Sequence, residues 1–405
     1  MIYVSIMGME KVITDEVKID EILSRGVEDI ITKEELKKDL MSGRCLRIKF
    51  GIDPTGPKIH LGRAVPIRKL RDFQKLGHQI VFIIGDFTAQ IGDASDKTDK
   101  RPMLSRAQID ENLKDYKSQI SKILDISKTE FVYNNDWLSK LSFSDLIKLA
   151  ECFSVQQMLA RRNFKDRYEK GTEISLREFL YPIMQGYDSY EMKADIELAG
   201  FDQLFNAKAG RIIQEHFGMT KQNILTCEML EGTDGRKMST SWENIITIVD
   251  EPNDMFGKVM SIKDELILKY FKLCTDLSLK EIKAIEKEIK NGANPRDIKM
   301  RLGTELVTLY HSEMQATLAK NAFIETFQKG GVPDNLEEIK CEEGKEIVDI
   351  LIEKEIVSSK TDWRRLIKDG AIADAEGNVI SDPKEKVRNV ILKIGKKRFA
   401  KLVIV

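Results

Sequence analysis

The ten residues Asp53-Pro54-Thr55-Gly56-Pro57-Lys58-Ile59-His60-Leu61-Gly62 put a carboxylate, a hydroxyl, an imidazole and a bare glycine into one polar turn with two prolines. Such a set suits a nucleoside triphosphate. The turn leads into a helical pattern from Gly62 to Leu76. A helix start offers unpaired N–H groups and a positive dipole end to phosphate. His60 can donate to a phosphate oxygen, and Gly62 removes the side chain where an adenine ring would lie. A plain turn role for the proline-containing segment competes with this reading. Far downstream, Lys237-Met238-Ser239-Thr240-Ser241 forms a second loop with one cation and three hydroxyls, beside the stretch Gly232–Gly235. Two such loops can neutralise developing charge on phosphate oxygens.

A third constellation lies at Tyr181-Pro182-Ile183-Met184-Gln185-Gly186-Tyr187-Asp188. On a helix, Tyr181, Gln185 and Asp188 fall at i, i+4 and i+7 and share a face. If that face is buried, each polar group needs a partner, because an unpaired one is costly. An ordinary amphipathic helix with its polar side in water fits the same residues. Asp93 ends the polar stretch that begins at Ile84, and Asp202-Gln203 opens a helical pattern. Helix capping is the competing explanation for both.

These groups must be held by a framework. Leu46–Ile52 and Gln79–Ile84 read as buried strands joined by the helix after His60, which predicts a parallel crossover and a doubly wound sheet. The stretch from Ile84 to Asp93, which includes Thr88, then lies at the carboxyl end of a strand, where open α/β sheets bind ligands. Residues 1 to about 40 look helical and charged. Residues 103–195 look mostly helical, with a strand near Phe131–Tyr133. Asp195–Leu198 reads as a return strand before a helix from Asp202, and Asp254 to Phe327 is helical almost throughout. Two adjacent glycines, a proline and an acidic run mark residues 329–345 as a linker. The expected fold is α/β. It has a doubly wound Rossmann-like catalytic domain over 1–250 with a helical insertion over about 103–195. An α-helical domain follows over 251–328, and a small α+β domain over 346–405.

Composition narrows the function classes. With 405 residues, 42% hydrophobic and 32% charged, the chain has a globular mix and room for two or three domains. No apolar run reaches the length of a membrane span. The apolar start, Met1 to Met9, lacks the basic residues and cleavage pattern of a signal peptide. Five scattered cysteines, Cys45, Cys152, Cys227, Cys274 and Cys341, argue against a disulfide framework and for a reducing, cytoplasmic setting. The four histidines are scattered too, so no protein-bound metal site is expected. Net charge is −1, but Ser358 to Val405 carries 12 Lys/Arg against 6 Asp/Glu. A basic tail on an acidic body is a footprint for a polyanion.

In this order, the two phosphate loops resemble the signature motifs of class I aminoacyl-tRNA synthetases. The chain after about residue 40 resembles the bacterial tyrosyl-tRNA synthetases of the shorter-linker type with a small C-terminal RNA-binding domain. Further matching stretches are Asp136-Trp137-Leu138-Ser139-Lys140-Leu141-Ser142-Phe143 and Met255-Phe256-Gly257-Lys258-Val259-Met260-Ser261-Ile262. The resemblance implies an ATP-dependent ligase. It would activate L-tyrosine as tyrosyl-adenylate and transfer tyrosine to the 3′ end of tRNA-Tyr, releasing AMP and diphosphate. Mg²⁺ would accompany ATP. The helical insertion would pair two chains as a homodimer, and residues 251–328 would recognise the anticodon.

Site residues carry over by position. Asp188 would accept a hydrogen bond from the phenol of tyrosine. Tyr181, Gln185 and Asp93 would surround the α-ammonium, with Thr88 and Gln203 nearby. Asp53, Thr55, His60, Gly62, Asp202, Lys237, Met238, Ser239 and Thr240 would hold ATP. His60, Arg63, Lys237 and Thr240 would stabilise the transition state. The tail resembles a small RNA-binding fold shared with a ribosomal small-subunit protein and pseudouridine synthases. Lys360, Arg364, Arg365, Lys368, Lys396, Lys397 and Arg398 would track phosphates there. Four positions leave the family pattern. Arg63 stands for a second histidine, Thr240 for a second lysine, Phe201 for a small residue and Ala94 for a proline. Two other readings stay open: a weak or inactive paralogue that binds structured RNA, and an activating enzyme for another aromatic amino acid.

Overall fold

The computed structural model describes residues 11–93, 104–328, 336, 338–342, 344–354, 356–374, 378–395 and 398–404. They form two compact units, 1–251 with 258–310, and 252–257 with 311–405. This division differs from the boundaries expected at 250 and 328, because the helices Ile267–Cys274, Leu279–Lys290 and Pro295–Tyr310 belong to the first unit.

The first unit is built on six strands: β1 (Val27–Ile31), β2 (Arg47–Ile52), β3 (Gln79–Ile84), β4 (Thr129–Tyr133), β5 (Ile196–Gly200) and β6 (Asn223–Cys227). Their order is β1-β6-β5-β2-β3-β4, and only β1 runs antiparallel to its neighbour. Parallel strands covered on both faces read as near-continuous apolar runs. Ile80, Val81, Phe82, Ile83 and Ile84 of β3 are all buried. The expected α/β doubly wound sheet is present. Its strand order reverses between β2 and β5, where such sheets open a ligand crevice.

The helix expected from Gly62 runs Leu61–Lys75 with His60 as its N-cap. The return strand and the strand near Phe131 are also present. One expectation is corrected. Residues 1 to 40 are not all helical, since the helices Glu16–Ile22 and Lys33–Met41 flank β1. Glu28 and Asp29 disguise that strand. They are exposed on an edge, where charge blocks further pairing.

In the second unit, β7 (Glu338–Cys341), β8 (Ile372–Asp374), β9 (Val390–Ile394) and β10 (Arg398–Ile404) form a sheet in the order β7-β10-β9-β8. The helices Ile347–Glu353 and Lys360–Lys368 cover a core around Trp363, Ile347, Leu392 and Leu402. The linker expectation is corrected here too. β7 lies inside 329–345 and pairs in parallel with β10, Ile339 opposite Leu402. Its alternating Glu-Ile-Lys-Cys was hidden within an acidic run. Residues 329–335 lie outside the described residues.

Candidate active site

A cleft of about 450 Å³ opens at the β2–β5 switch point. Its lining includes Asp53, Thr55, His60, Gly62, Arg63, Thr88, Asp93, Tyr181, Gln185, Asp188, Asp202, Gln203, Lys237, Met238, Ser239 and Thr240. Every residue that the sequence assigned to tyrosine, ATP or catalysis therefore meets in one place.

The inner wall is made by the helix Leu176–Glu191, which carries Tyr181, Gln185 and Asp188 into the cleft. Asp188 is 4% exposed and accepts from Trp137 Nε1 at 2.8 Å and Asn134 Nδ2 at 3.3 Å. Burial pushes its carboxyl up to about 7, against the pull of Lys49 and those two donors. Asn134 also donates to Thr88 Oγ1 at 3.0 Å, and its own oxygen takes the Phe87 N–H at 3.0 Å. Thr88 Oγ1 donates to Asp53 Oδ1 at 2.7 Å, and the Tyr181 hydroxyl donates to Asp53 Oδ2 at 2.9 Å. One network thus runs from Asp188 to the polar turn. Gly85 is required beside it, because a Cβ there would lie 2.1 Å from Asp53 Oδ1.

Asp93 lines the cleft together with Tyr181 and Gln185. Asp93 accepts from Gln203 Nε2 at 2.6 Å and from Arg161 Nη2 at 3.4 Å. Gln185 Nε2 donates instead to Glu197 Oε1 at 3.0 Å, and Tyr181 bonds Asp53. Asp93 has the buried guanidinium of Arg161 beside it, itself close to the Phe164 and Phe205 rings at 5.5 and 5.4 Å.

The cationic end of the cleft begins at His60. Its Nδ1 accepts the Arg63 N–H at 3.3 Å. Burial, with Arg63 and Lys237 close by, pulls its imidazole down to about 3. The ring is therefore neutral near pH 7, and with Nδ1 accepting, its proton sits on Nε2, free to donate to phosphate. Pyrophosphate exchange should accordingly show no ionisation of His60 from about pH 5 to about pH 9. The test is the pH profile of His60→Asn. An acid limb present in the parent and missing in the variant would show that the ring titrates.

Gly62 keeps the helix start clear, since a Cβ there would stand 3.1 Å from His60 Nδ1 and 3.5 Å from Met238 Cβ. Arg63 finds a defined place. Nη1 donates to the Tyr116 hydroxyl at 3.0 Å and Nη2 to Thr55 Oγ1 at 2.5 Å. Lys237 Nζ reaches Asp202 Oδ2 at 3.0 Å. Asn244 shapes the second loop by accepting from Ser239 N at 2.9 Å and donating to the Lys237 carbonyl at 3.1 Å. Main-chain bonds Leu61 N to Ile246 O at 2.8 Å and Ile248 N to Ile59 O at 2.9 Å, with a bridge between His60 and Thr247, hold the two loops together.

A second cavity in this unit, about 320 Å³, is lined by Arg25, Arg68, Lys69 and other cations. Arg68 and Arg71 pair with Asp276, and Arg25 and Lys69 are engaged at helix ends. Arg25 donates to the carbonyls of Lys272, Thr275 and Leu277, and Lys69 to those of Ile22 and Arg25. That cavity is a structural joint.

In the C-terminal unit, Ser359 caps the helix Lys360–Lys368. Lys360 pairs with Asp349 at 2.7 Å and Arg365 with Asp362 at 2.7 Å, while Arg398 donates to the Ile356 carbonyl. Arg364 and Lys368 are exposed and pair with no carboxylate among the described residues. Lys396, Lys397 and Ala94 lie outside the described residues.

A switch-point cleft with cations at one end and a buried carboxylate at the other is the architecture of an α/β ligand-binding enzyme. Residues 41–328 match the family described as tRNA synthetases class I (W and Y), and the chain belongs to that family. Within it, the chain is 44% identical over 387 residues to the tyrosine–tRNA ligase of Thermotoga maritima, covering 94% of this chain and 96% of the relative. It is 43% identical over 396 residues to the tyrosine–tRNA ligase of Shewanella oneidensis, covering 96% and 99%. The fold matches the crystal structure of tyrosyl-tRNA synthetase from Archaeoglobus fulgidus complexed with L-tyrosine, with a TM-score of 0.62 at 23% identity over 76% of this chain and 100% of that one.

Sequence reasoning passed over Trp137 and Asn134 as site residues, and also Lys49 and Glu197. The last two carried a signal: single charges of opposite sign inside the apolar runs Ile48-Lys49-Phe50 and Ile196-Glu197-Leu198.

Proposed function

We propose that the cleft activates L-tyrosine with ATP and that the protein then esterifies tRNA-Tyr, the activity of the tyrosine–tRNA ligases it groups with. The observation that carries this reading is Asp188, a buried carboxylate at the inner end of a cleft whose other end is lined by His60, Arg63 and Lys237. A phenolic hydroxyl can donate to Asp188, whereas an indole or phenyl ring offers no hydroxyl there. This favours tyrosine over other aromatic acids. A chain that only bound RNA would have no use for such a pocket.

The substrate carboxylate attacks the α-phosphorus of ATP, and the bond to the pyrophosphate oxygen breaks. The attacking group is already ionised, so no general base is needed and positioning is the task. Lys237 and the His60 Nε2–H stabilise the charge that grows on the leaving phosphates. Arg63 fixes Thr55 and the turn. Asp202 holds Lys237 in place at the cleft wall. In the second step a ribose hydroxyl of the terminal tRNA nucleotide attacks the activated carbonyl, and AMP leaves. Mg²⁺ comes with the triphosphate. The donors at the phosphate end are neutral or cationic and suit phosphate oxygens rather than a metal ion, and no group of three or more His, Cys, Asp or Glu side chains that could hold one occurs among the described residues.

Exposed Phe143 and Ile147 lie one turn apart on the helix Phe143–Glu151, and Val155 and Leu176 are exposed nearby in sequence. Large apolar side chains left exposed along the helical insertion support a homodimer formed through it. No described helix is long and apolar enough to cross a membrane. The scattered free cysteines support a cytoplasmic setting.

The test is tyrosine-dependent exchange of labelled pyrophosphate into ATP. Exchange with tyrosine but not with phenylalanine or tryptophan is expected, and no exchange with any of them would defeat the reading. Deleting residues 338–405, which hold all of β7–β10, should impair tRNA charging and spare adenylate formation. Charging that continues at the parent rate would contradict an RNA-binding role for that region.

A further inference from the structure

Two charged side chains sit where the sheet is otherwise apolar. Lys49 on β2 and Glu197 on β5 are each 1% exposed and stand opposite one another in the parallel register, next to Ile48 opposite Ile196. Both line the cleft at the switch point. Lys49 Nζ lies 3.0 Å from Glu197 Oε1 and also donates to the Gln185 carbonyl at 2.8 Å and Ser189 Oγ at 2.7 Å. An ammonium has three protons, so none is left for a ligand. Glu197 in turn accepts from Gln185 Nε2 at 3.0 Å, Ser189 Oγ at 3.1 Å and Gln222 Nε2 at 2.5 Å. The pair therefore grips both ends of the turn Gln185–Ser189, which presents Gln185 and Asp188 to the cleft.

Stability does not explain such a pair. Burying two charges costs desolvation that two well-packed apolar side chains would avoid. We infer that Lys49 and Glu197 are the positioning pair of the phenol pocket: Lys49 clamps the Gln185–Ser189 turn to the sheet so that Asp188 faces a phenolic hydroxyl, while Glu197 aligns Gln185. This rests on the proposed tyrosine pocket. The charged groups acting on Asp188 are Lys49 from β2, which favours its ionised form, and Glu197 from β5, which opposes it. The segment from Asn134 to Trp137 brings two neutral donors, Thr88 links Asp188 through Asn134 to Asp53, and Tyr181 and Tyr187 share its helix.

The experiment measures KM for tyrosine and for ATP by pyrophosphate exchange across about pH 6 to 9, for the full chain and for K49M, E197Q, K49M/E197Q and D188A. Below its midpoint Asp188 carries a proton and is a weaker, uncharged acceptor. K49M should move the midpoint of the tyrosine KM profile up by about one to three units. At pH 7 its tyrosine KM then rises about tenfold or more and recovers toward pH 9, while ATP KM holds. E197Q should move the midpoint down. Comparing the double variant with E197Q isolates Lys49 without stranding a buried carboxylate, and the midpoint should rise. A purely structural pair would shift all variants alike and raise both KM values together, and that result overturns the inference. D188A separates the two levels. If it keeps the preference for tyrosine over phenylalanine, the pocket assignment itself fails. If it loses that preference while the midpoints of the other variants stay put, only the role of the pair fails.

Discussion

Asp188→Ala should lower kcat/KM for tyrosine by about tenfold to a hundredfold while KM for ATP stays within about twofold, because a hydrogen bond to a charged group is worth roughly 1.5–3 kcal/mol. The same change strips Trp137 Nε1 of its 2.8 Å acceptor and Asn134 of its 3.3 Å one. Burying those donors unpaired costs about 1–3 kcal/mol, so a lower melting temperature should accompany the lost activity. Phenylalanine, which offers no hydroxyl, should lose far less. Steady-state exchange with both amino acids checks this. An equal loss for tyrosine and ATP would place the pocket elsewhere.

Lys237→Ala should act on the opposite end and on a different constant. Lys237 is the cation of its loop that lines the cleft, while its neighbour Arg236 pairs with Asp234. Removing Lys237 should cut the rate of adenylate formation by about a hundredfold to a thousandfold, the scale for losing one well-placed transition-state donor. Tyrosine affinity should be unchanged. Single-turnover adenylate formation at saturating tyrosine separates the two. A raised tyrosine KM with an unchanged rate would remove Lys237 from the chemistry. Asp202 would also lose its 3.0 Å partner, and Asp202→Asn tests whether that pairing matters before nucleotide binds.

Local pattern carried much of this in the sequence. The helix from His60, β2, β3 and the Tyr181–Asp188 face were legible because each obeys one period and one cap rule. Long-range partnership was not. Asp93 stands beside Gln203 and Arg161, both distant in sequence, and nothing local announces either. β1 and β7 were missed because their charges suit a strand only once a neighbour supplies the other rail. Arg63 leaves the family pattern, yet Tyr116 and Thr55 receive it, and Tyr116 lies on a separate helix. The Lys49–Glu197 pair was visible only as two isolated charges. Their adjacency is a property of register.

The rung between His60 and Thr247 ties together two stretches of chain that synthesis places far apart. Nucleotide therefore never has to gather its second set of contacts from afar. Folding has already met that entropic cost. A mutation that loosens the anchor should leave both motifs intact and still slow the reaction, by lowering the local concentration of one half of the site around the other.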